Sequence, residues 1–303
     1  MTAAKHPNPR SQPLFGMACG VLAFMCYSVQ DALVSLMAKV YPAAQVTWVD
    51  CALALALLLG AVALRKGVKG VRTVFHTRHL WAHLLRGTFF AVGAVMAFTA
   101  LPHVPLPNMY VIIFLSPLLG ASLSGIFLKE PVGVLNFAAL LIGFAGVFVA
   151  MRPGAEGFNM YALLILGAAC LFSVNALLNR FLAQRDHAVV MIYYPMAVAV
   201  GLLVFPVLQG WKPIASQDIW YFAAMGMALA VAFFLNANAF KRAPIYLVAP
   251  TQFLQFFWGT LAQFLLYKTW PTHHAIIGAV LIILSNLLIL YLQYRAQRKE
   301  APP

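Results

Sequence analysis

Residues 81–105, WAHLLRGTFFAVGAVMAFTALPHVP, and residues 220–244, WYFAAMGMALAVAFFLNANAFKRAP, carry the same pattern twice. A shift of 139 residues lays Trp81 on Trp220, Gly87 on Gly226, Ala100-Leu101 on Ala239-Phe240 and Pro105 on Pro244. The same shift lays Gly120 on Gly259 and Lys129 on Lys268. At a slightly different offset, Ser28-Val29-Gln30 pairs with Ser173-Val174-Asn175. Six matches at one offset are hard to attribute to chance, so the chain reads as a duplication. Each copy opens with an apolar run of roughly 20 residues, long enough to cross a ~30 Å hydrocarbon core.

The rest of the chain is built from the same material. Of its 303 residues, 63% are hydrophobic and only 9% charged, with a mean hydropathy of +0.86. A soluble domain carries about 25% charged residues, so this chain lacks the polar surface to cover a globule. The composition predicts an all-α membrane protein of ten transmembrane helices, near 14–38, 44–64, 80–100, 106–128, 132–151, 159–181, 188–208, 217–238, 245–267 and 273–294. Breakers mark the gaps: Pro42, Pro102 with Pro105, Pro131, Pro153-Gly154, Gly210 to Pro213, Pro244 and Pro271. With the N-terminus in the cytoplasm, only Lys39, Arg152, Lys212 and Lys268 fall on the far side, leaving the other 16 of the 20 Lys and Arg on the cytoplasmic side. That bias places both termini, as short tails at 1–13 and 295–303, in the cytoplasm. It also accounts for the net charge of +13 without a nucleic-acid partner. Lys5, His6 and Arg10 before the first span imitate a signal peptide. The apolar stretch is too long for one and has no small-x-small cleavage site, so it reads as a retained helix. Cys19, Cys26, Cys51 and Cys170 lie in apolar segments without CxxC or metal-ligand spacing and read as small buried hydrophobes.

Five helices per copy is an odd number, so the second copy enters the membrane upside down. The expected domains are repeat 14–151 and repeat 157–294, with the site near their interface, as in alternating-access carriers. The span count, the Ala100-Leu101 and Ala239-Phe240 endings and the polar, breaker-rich entry to the fourth and ninth helices resemble the drug/metabolite transporter superfamily. The resemblance is to its EamA-type members and covers about residues 14–294. Lys129-Glu130-Pro131 after the fourth helix adds to it, whereas the second copy departs at Lys268-Thr269-Trp270. The resemblance implies a central cavity lined mainly by the first, third, fourth, sixth, eighth and ninth helices. It also implies transport of small organic metabolites, a range from amino acids, nucleosides, riboflavin and S-adenosylmethionine to opine-type chelators and toxic cations.

Candidate site residues follow from what is costly inside a bilayer. Of seven acidic residues only Asp31 and Asp50 lie well inside spans. Each costs a few kcal/mol to insert and is expected to face a cavity or a partner. They flank a turn near Pro42, 11 residues before it and 8 after, which puts them at similar depth. If they face each other they titrate as a pair and suit proton coupling; otherwise they sit solvated near the outer interface. Gln30 and Asn175 occupy equivalent positions of the two copies, and Gln252 and Gln255 share a face of the ninth helix. These amides line the cavity or hold helices together. Tyr27, one turn before Asp31, suits a cationic substrate group through its ring. Arg86, two turns into the third helix, either snorkels to the cytoplasmic interface or captures an anionic group. Trp81, Trp211, Trp220 and Trp270 read as interface belt residues, and Gly120 with Gly259 as close-approach points.

His76, His79 and His83 share a side of a helix but lack acidic or cysteine neighbours, so no metal or other cofactor is expected. No phosphate-binding loop, nucleophile motif or HExxH is present, which excludes ATP-driven pumping and intramembrane proteolysis. The expected function is a secondary transporter of the inner membrane, with proton coupling as one option and export favoured over import. The alternatives are a passive channel, or an importer of a vitamin or S-adenosylmethionine-like cofactor. The expected partners are a small molecule with a cationic group, membrane lipid and, in a homodimer, a second copy.

Overall fold

The computed structural model describes residues 13–127, 134–151, 160–183, 185–243 and 245–300. Residues 1–12 of the N-terminal tail, residues 301–303 of the C-terminal tail, Lys129-Glu130-Pro131, Arg152, Pro153-Gly154, Glu156 and Pro244 lie outside them. The described residues are helical and contain no strand. In chain order the helices are α1 (Pro13–Met37), α2 (Ala43–Val74), α3 (Leu80–Ala100), α4 (Leu106–Ile113), α5 (Leu115–Phe127) and α6 (Val134–Met151). Then come α7 (Met160–Ala183), α8 (Ala188–Gln209), α9 (Ile219–Arg242), α10 (Ile245–Val248), α11 (Leu254–Tyr267) and α12 (His273–Glu300). Among the described residues, seven helices are long and apolar enough to cross a membrane: 14–37, 43–65, 80–100, 160–179, 189–209, 216–242 and 273–292. The chain is a multi-pass membrane protein.

Two expected spans are interrupted. The fourth divides at Phe114, between α4 and α5, three residues before Pro117. Proline has no N–H to return to the carbonyl four residues back, which loosens the helix there. Asn286 of α12 donates to the Phe114 carbonyl at 3.0 Å and gives the break a partner. The ninth divides around Pro250 into α10, a 3-10 turn at Ala249–Phe253, and α11. Phe114 and Phe253 stand at the same 139-residue offset as the repeat, and their rings meet edge to face at 5.2 Å. The two breaks therefore touch in the middle of the bundle. By contrast, Pro195 and Pro206 remain inside α8. Past Arg65, α2 bends at Gly67 (φ 64°), a left-handed conformation that glycine adopts freely, and runs on to Val74.

The packing exchanges cleanly between halves. α1 packs on α9 as α7 packs on α3, α1 on α11 as α7 on α5, and α2 on α9 as α8 on α3. α2 with α8 and α6 with α12 pair across the halves. Close approach depends on glycine at related positions. A Cβ on Gly87 would lie 2.5 Å from Val198, and one on Gly226 would lie 2.4 Å from Leu53. α6 and α12 meet through Gly146 and Gly278, each facing the other's backbone carbonyl. The burial expected of the cysteines fails at Cys170, which is exposed. Trp81, Trp211, Trp220 and Trp270 are exposed.

Candidate functional site

The centre of the bundle holds a cavity of about 360 Å³. α1 supplies Phe24, Tyr27, Gln30 and Asp31; α2 supplies Thr47, Asp50 and Cys51. Phe90 and Phe98 come from α3, Met109, Tyr110 and Ile113 from α4, and Phe172 with Asn175 from α7. Leu229 and Phe233 of α9 and Gln255 of α11 close it. Both halves of the chain build the wall. The second helix, absent from the expected set, belongs to it and brings Asp50.

The two carboxylates face this one cavity and are held differently. Asp31 accepts a hydrogen bond from the Tyr110 hydroxyl at 2.8 Å. Asp50 accepts one from Gln30 Nε2 at 2.7 Å through Oδ2, while its Oδ1 has no protein partner. Gln30, Asp50 and Tyr110 are nearly inaccessible, at 4%, 1% and 2% exposed. Burying such groups is tolerable because each is paired at least once. No Lys, Arg or His is among the described lining residues. Much of the remaining wall is aromatic: the Tyr27 and Phe233 rings meet edge to face at 5.9 Å, and Phe90 meets Phe233 at 6.4 Å.

Tyr110 owes its place to Gly259. A Cβ on Gly259 would stand 2.1 Å from the Tyr110 ring, so only glycine lets α11 lie flat against it. Gly120, its counterpart in the first copy, has only ordinary contact with the Ser173 carbonyl, 3.5 Å from an added Cβ. The two glycines that the repeat equates thus differ in duty.

Of the expected site residues, Tyr27, Gln30, Asp31, Asp50, Asn175 and Gln255 come together on this cavity. Gln252 lies in the 3-10 turn of the ninth segment and Arg86 lies in the α3–α8 contact; neither lines it. Arg86 turns inward instead of snorkelling outward: it is 4% exposed and donates through Nη2 to the Met191 carbonyl. That carbonyl precedes Pro195 by four residues, so its helical donor is missing and the guanidinium replaces it. Thr47, Cys51, Phe90, Tyr110 and Phe233 are cavity residues beyond the expected set. For Tyr110 the signal was available in Gly259, whose missing side chain leaves room for a ring.

Loops join the halves at both ends of the bundle. At one end Tyr41 donates to Asp218 at 2.6 Å, and the Gln45 amide exchanges two hydrogen bonds with the Lys212 backbone at 2.7 and 2.9 Å. At the other, Asp186 accepts from Thr77 at 2.9 Å and lies 3.0 Å from His83 Nε2. Burial alone would raise the Asp186 carboxyl. The bonds from His83 and Thr77, with the charges of His83 and His79, bring it below the usual carboxylate value.

This chain is 27% identical over 261 residues to the riboflavin transporter of Vibrio cholerae, covering 86% of each. It is 24% identical over 230 residues to the S-adenosylmethionine uptake transporter of Rickettsia conorii, covering 76% of this chain and 78% of the relative. To the pseudopaline exporter of Pseudomonas aeruginosa it is 24% identical over 285 residues, covering 90% and 95%. A solved crystal structure at 21% identity superposes with a TM-score of 0.65, covering 95% of this chain and 99% of the other, and shares the fold. These curated relatives are transporters of small molecules, not enzymes. The EamA-like transporter model matches twice, over residues 14–152 and 159–291, and the chain belongs to the EamA-like transporter family.

Proposed function

We propose that this small-molecule transporter is a secondary carrier of the inner membrane, moving an organic metabolite with a positive group by alternating access. Two carboxylates, buried Asp50 and half-buried Asp31, on one cavity with no Lys, Arg or His among its described lining residues carry this reading. An ionised carboxylate there has hydrogen-bond donors but no cation among the described lining residues, and a proton or a substrate cation supplies the positive charge. The aromatic wall beside Asp31 adds an attractive surface for the same cation. Proton coupling follows if Asp31 and Asp50 hold the proton when the substrate is absent.

The architecture proposed with it is two inverted five-helix repeats, 14–151 and 157–294, ten crossings in all, with both termini cytoplasmic. Packing that exchanges between halves, and two central breaks that touch at Phe114 and Phe253, support the repeat. The charge bias supports the orientation.

Export is the favoured direction. The second reading is import of a vitamin or S-adenosylmethionine-like cofactor, which the names of two relatives favour. Comparing metabolites inside and outside a deletion strain and an overexpressing strain tests both. An exporter predicts one class of cationic or zwitterionic solute depleted outside the deletion strain and enriched outside the overexpressor. The reverse pattern assigns import. No solute shifting between the strains contradicts transport of a metabolite.

A further inference from the structure

Tyr27, Asp31, Ser35 and Lys39 follow at intervals of four residues and so share a face of α1 and its final turn. The first two line the central cavity; the last two line a second chamber, of about 350 Å³. α4 and α11 divide the same way. Tyr110 and Gln255 line the cavity, whereas Asn108, Gln263 and Tyr267 line the chamber. The two spaces therefore lie end to end along the same three helices. At ~1.5 Å per residue, Lys39 stands about 12 Å along the axis from Asp31.

Tyr267, the last residue of α11, lines the chamber and reaches across to α1. Its hydroxyl is 3.0 Å from Ser35 Oγ and donates to the Ser35 carbonyl at 3.3 Å. The Lys39 ammonium lies over its ring, 4.0 Å from the centroid. One turn earlier, Gln263 accepts from the Leu106 N–H at 3.2 Å. Each of these contacts joins α11, from the second half, to α1 or the start of α4, from the first. A set of contacts that closes a path and spans both halves must break when the halves rearrange.

We propose that this chamber is a second solute site at the outer mouth of the path, and that Tyr267, bridging α11 to α1 within it, bars passage through it to the central cavity. This rests on the carrier reading above. The ring face covered by Lys39 is the surface that takes the positive group of an arriving solute. A cation settling there displaces Lys39, and Tyr267 is then held through Ser35 alone. The central carboxylates lie next along the same stripe.

Cys51 lines the central cavity and serves as the reporter once Cys19, Cys26 and Cys170 are replaced by Ala. The probe is a trimethylammonium methanethiosulfonate, which does not cross membranes, applied to right-side-out vesicles. Labelling of Cys51 should be slow with Tyr267 intact and faster by about an order of magnitude in Tyr267→Ala. Tyr267→Phe keeps the ring and loses the Ser35 bonds; combined with Lys39→Gln, it should also accelerate labelling if the alanine variant fails to accumulate. Parental labelling rates in every variant that accumulates would overturn the proposal, as would acceleration seen only in inside-out vesicles. The assay needs no substrate, so a carrier that transports normally with unchanged Cys51 labelling would lose this gate and keep the carrier reading.

Discussion

Asp31→Asn should abolish gradient-driven transport while membrane abundance stays normal or rises. The substitution preserves size and keeps an oxygen to accept the Tyr110 hydroxyl bond, now 2.8 Å long. What it removes is the ionisable group. Insertion scales put an acidic residue at a helix centre at about +2.5 to +3.5 kcal/mol, so the variant is easier to insert. Loss of transport then comes from the missing charge, and an immunoblot separates it from loss of protein. Asp50→Asn should be milder, or move the pH optimum, since Gln30 still finds an oxygen to donate to. Uptake and efflux in proteoliposomes across a pH series measure both. Unchanged rate and pH dependence in Asp31→Asn would reduce this carboxylate to a tolerated charge.

Gly259→Ala should be nearly as damaging, for a steric reason. Its new methyl would stand 2.1 Å from a ring that is itself only 2% exposed, so Tyr110 or α11 must move. Overpacking of this kind costs about 1–3 kcal/mol, and here it also pulls the hydroxyl from Asp31. Abundance should fall, and the remaining protein should transport poorly. Gly120→Ala, with only ordinary contact to make, should be close to neutral. Pairing Gly259→Ala with Tyr110→Leu should restore abundance without restoring transport, because space returns but the bond to Asp31 does not. Equal behaviour of the two alanine variants would mean that Tyr110 is not seated by Gly259.

Much of the scaffold was legible because bilayer helices obey a length rule and end at breakers. The expected 80–100 and 188–208 fall within a residue of Leu80–Ala100 and Ala188–Gln209. The fourth and ninth segments were harder. Pro117, Pro195, Pro206 and Pro250 lie in the interior of spans, and sequence alone does not tell which will break a helix. Beside the Pro117 break the Phe114 carbonyl finds Asn286; at Pro195 the freed Met191 carbonyl finds Arg86 and α8 stays whole. The carboxylates and amides of the cavity were visible because each is expensive in lipid, whereas Thr47 and Tyr110 were not. The aromatic walls were not, since Phe90 and Phe233 look the same in sequence as the exposed Phe148 and Phe257. Arg86 obeyed the cost rule too, but its partner was a backbone carbonyl, which composition does not reveal.

Asp31 and Asp50 should couple movement of the substrate through their shared cavity to an ion gradient. Purified protein in sealed proteoliposomes, supplied with the metabolite identified by the strain comparison, tests it directly. With a proton gradient imposed, the solute should accumulate above its equilibrium level, and a protonophore should collapse that excess. Equilibration to equal concentrations, at the same rate with and without the gradient, would contradict the account and describe a passive channel.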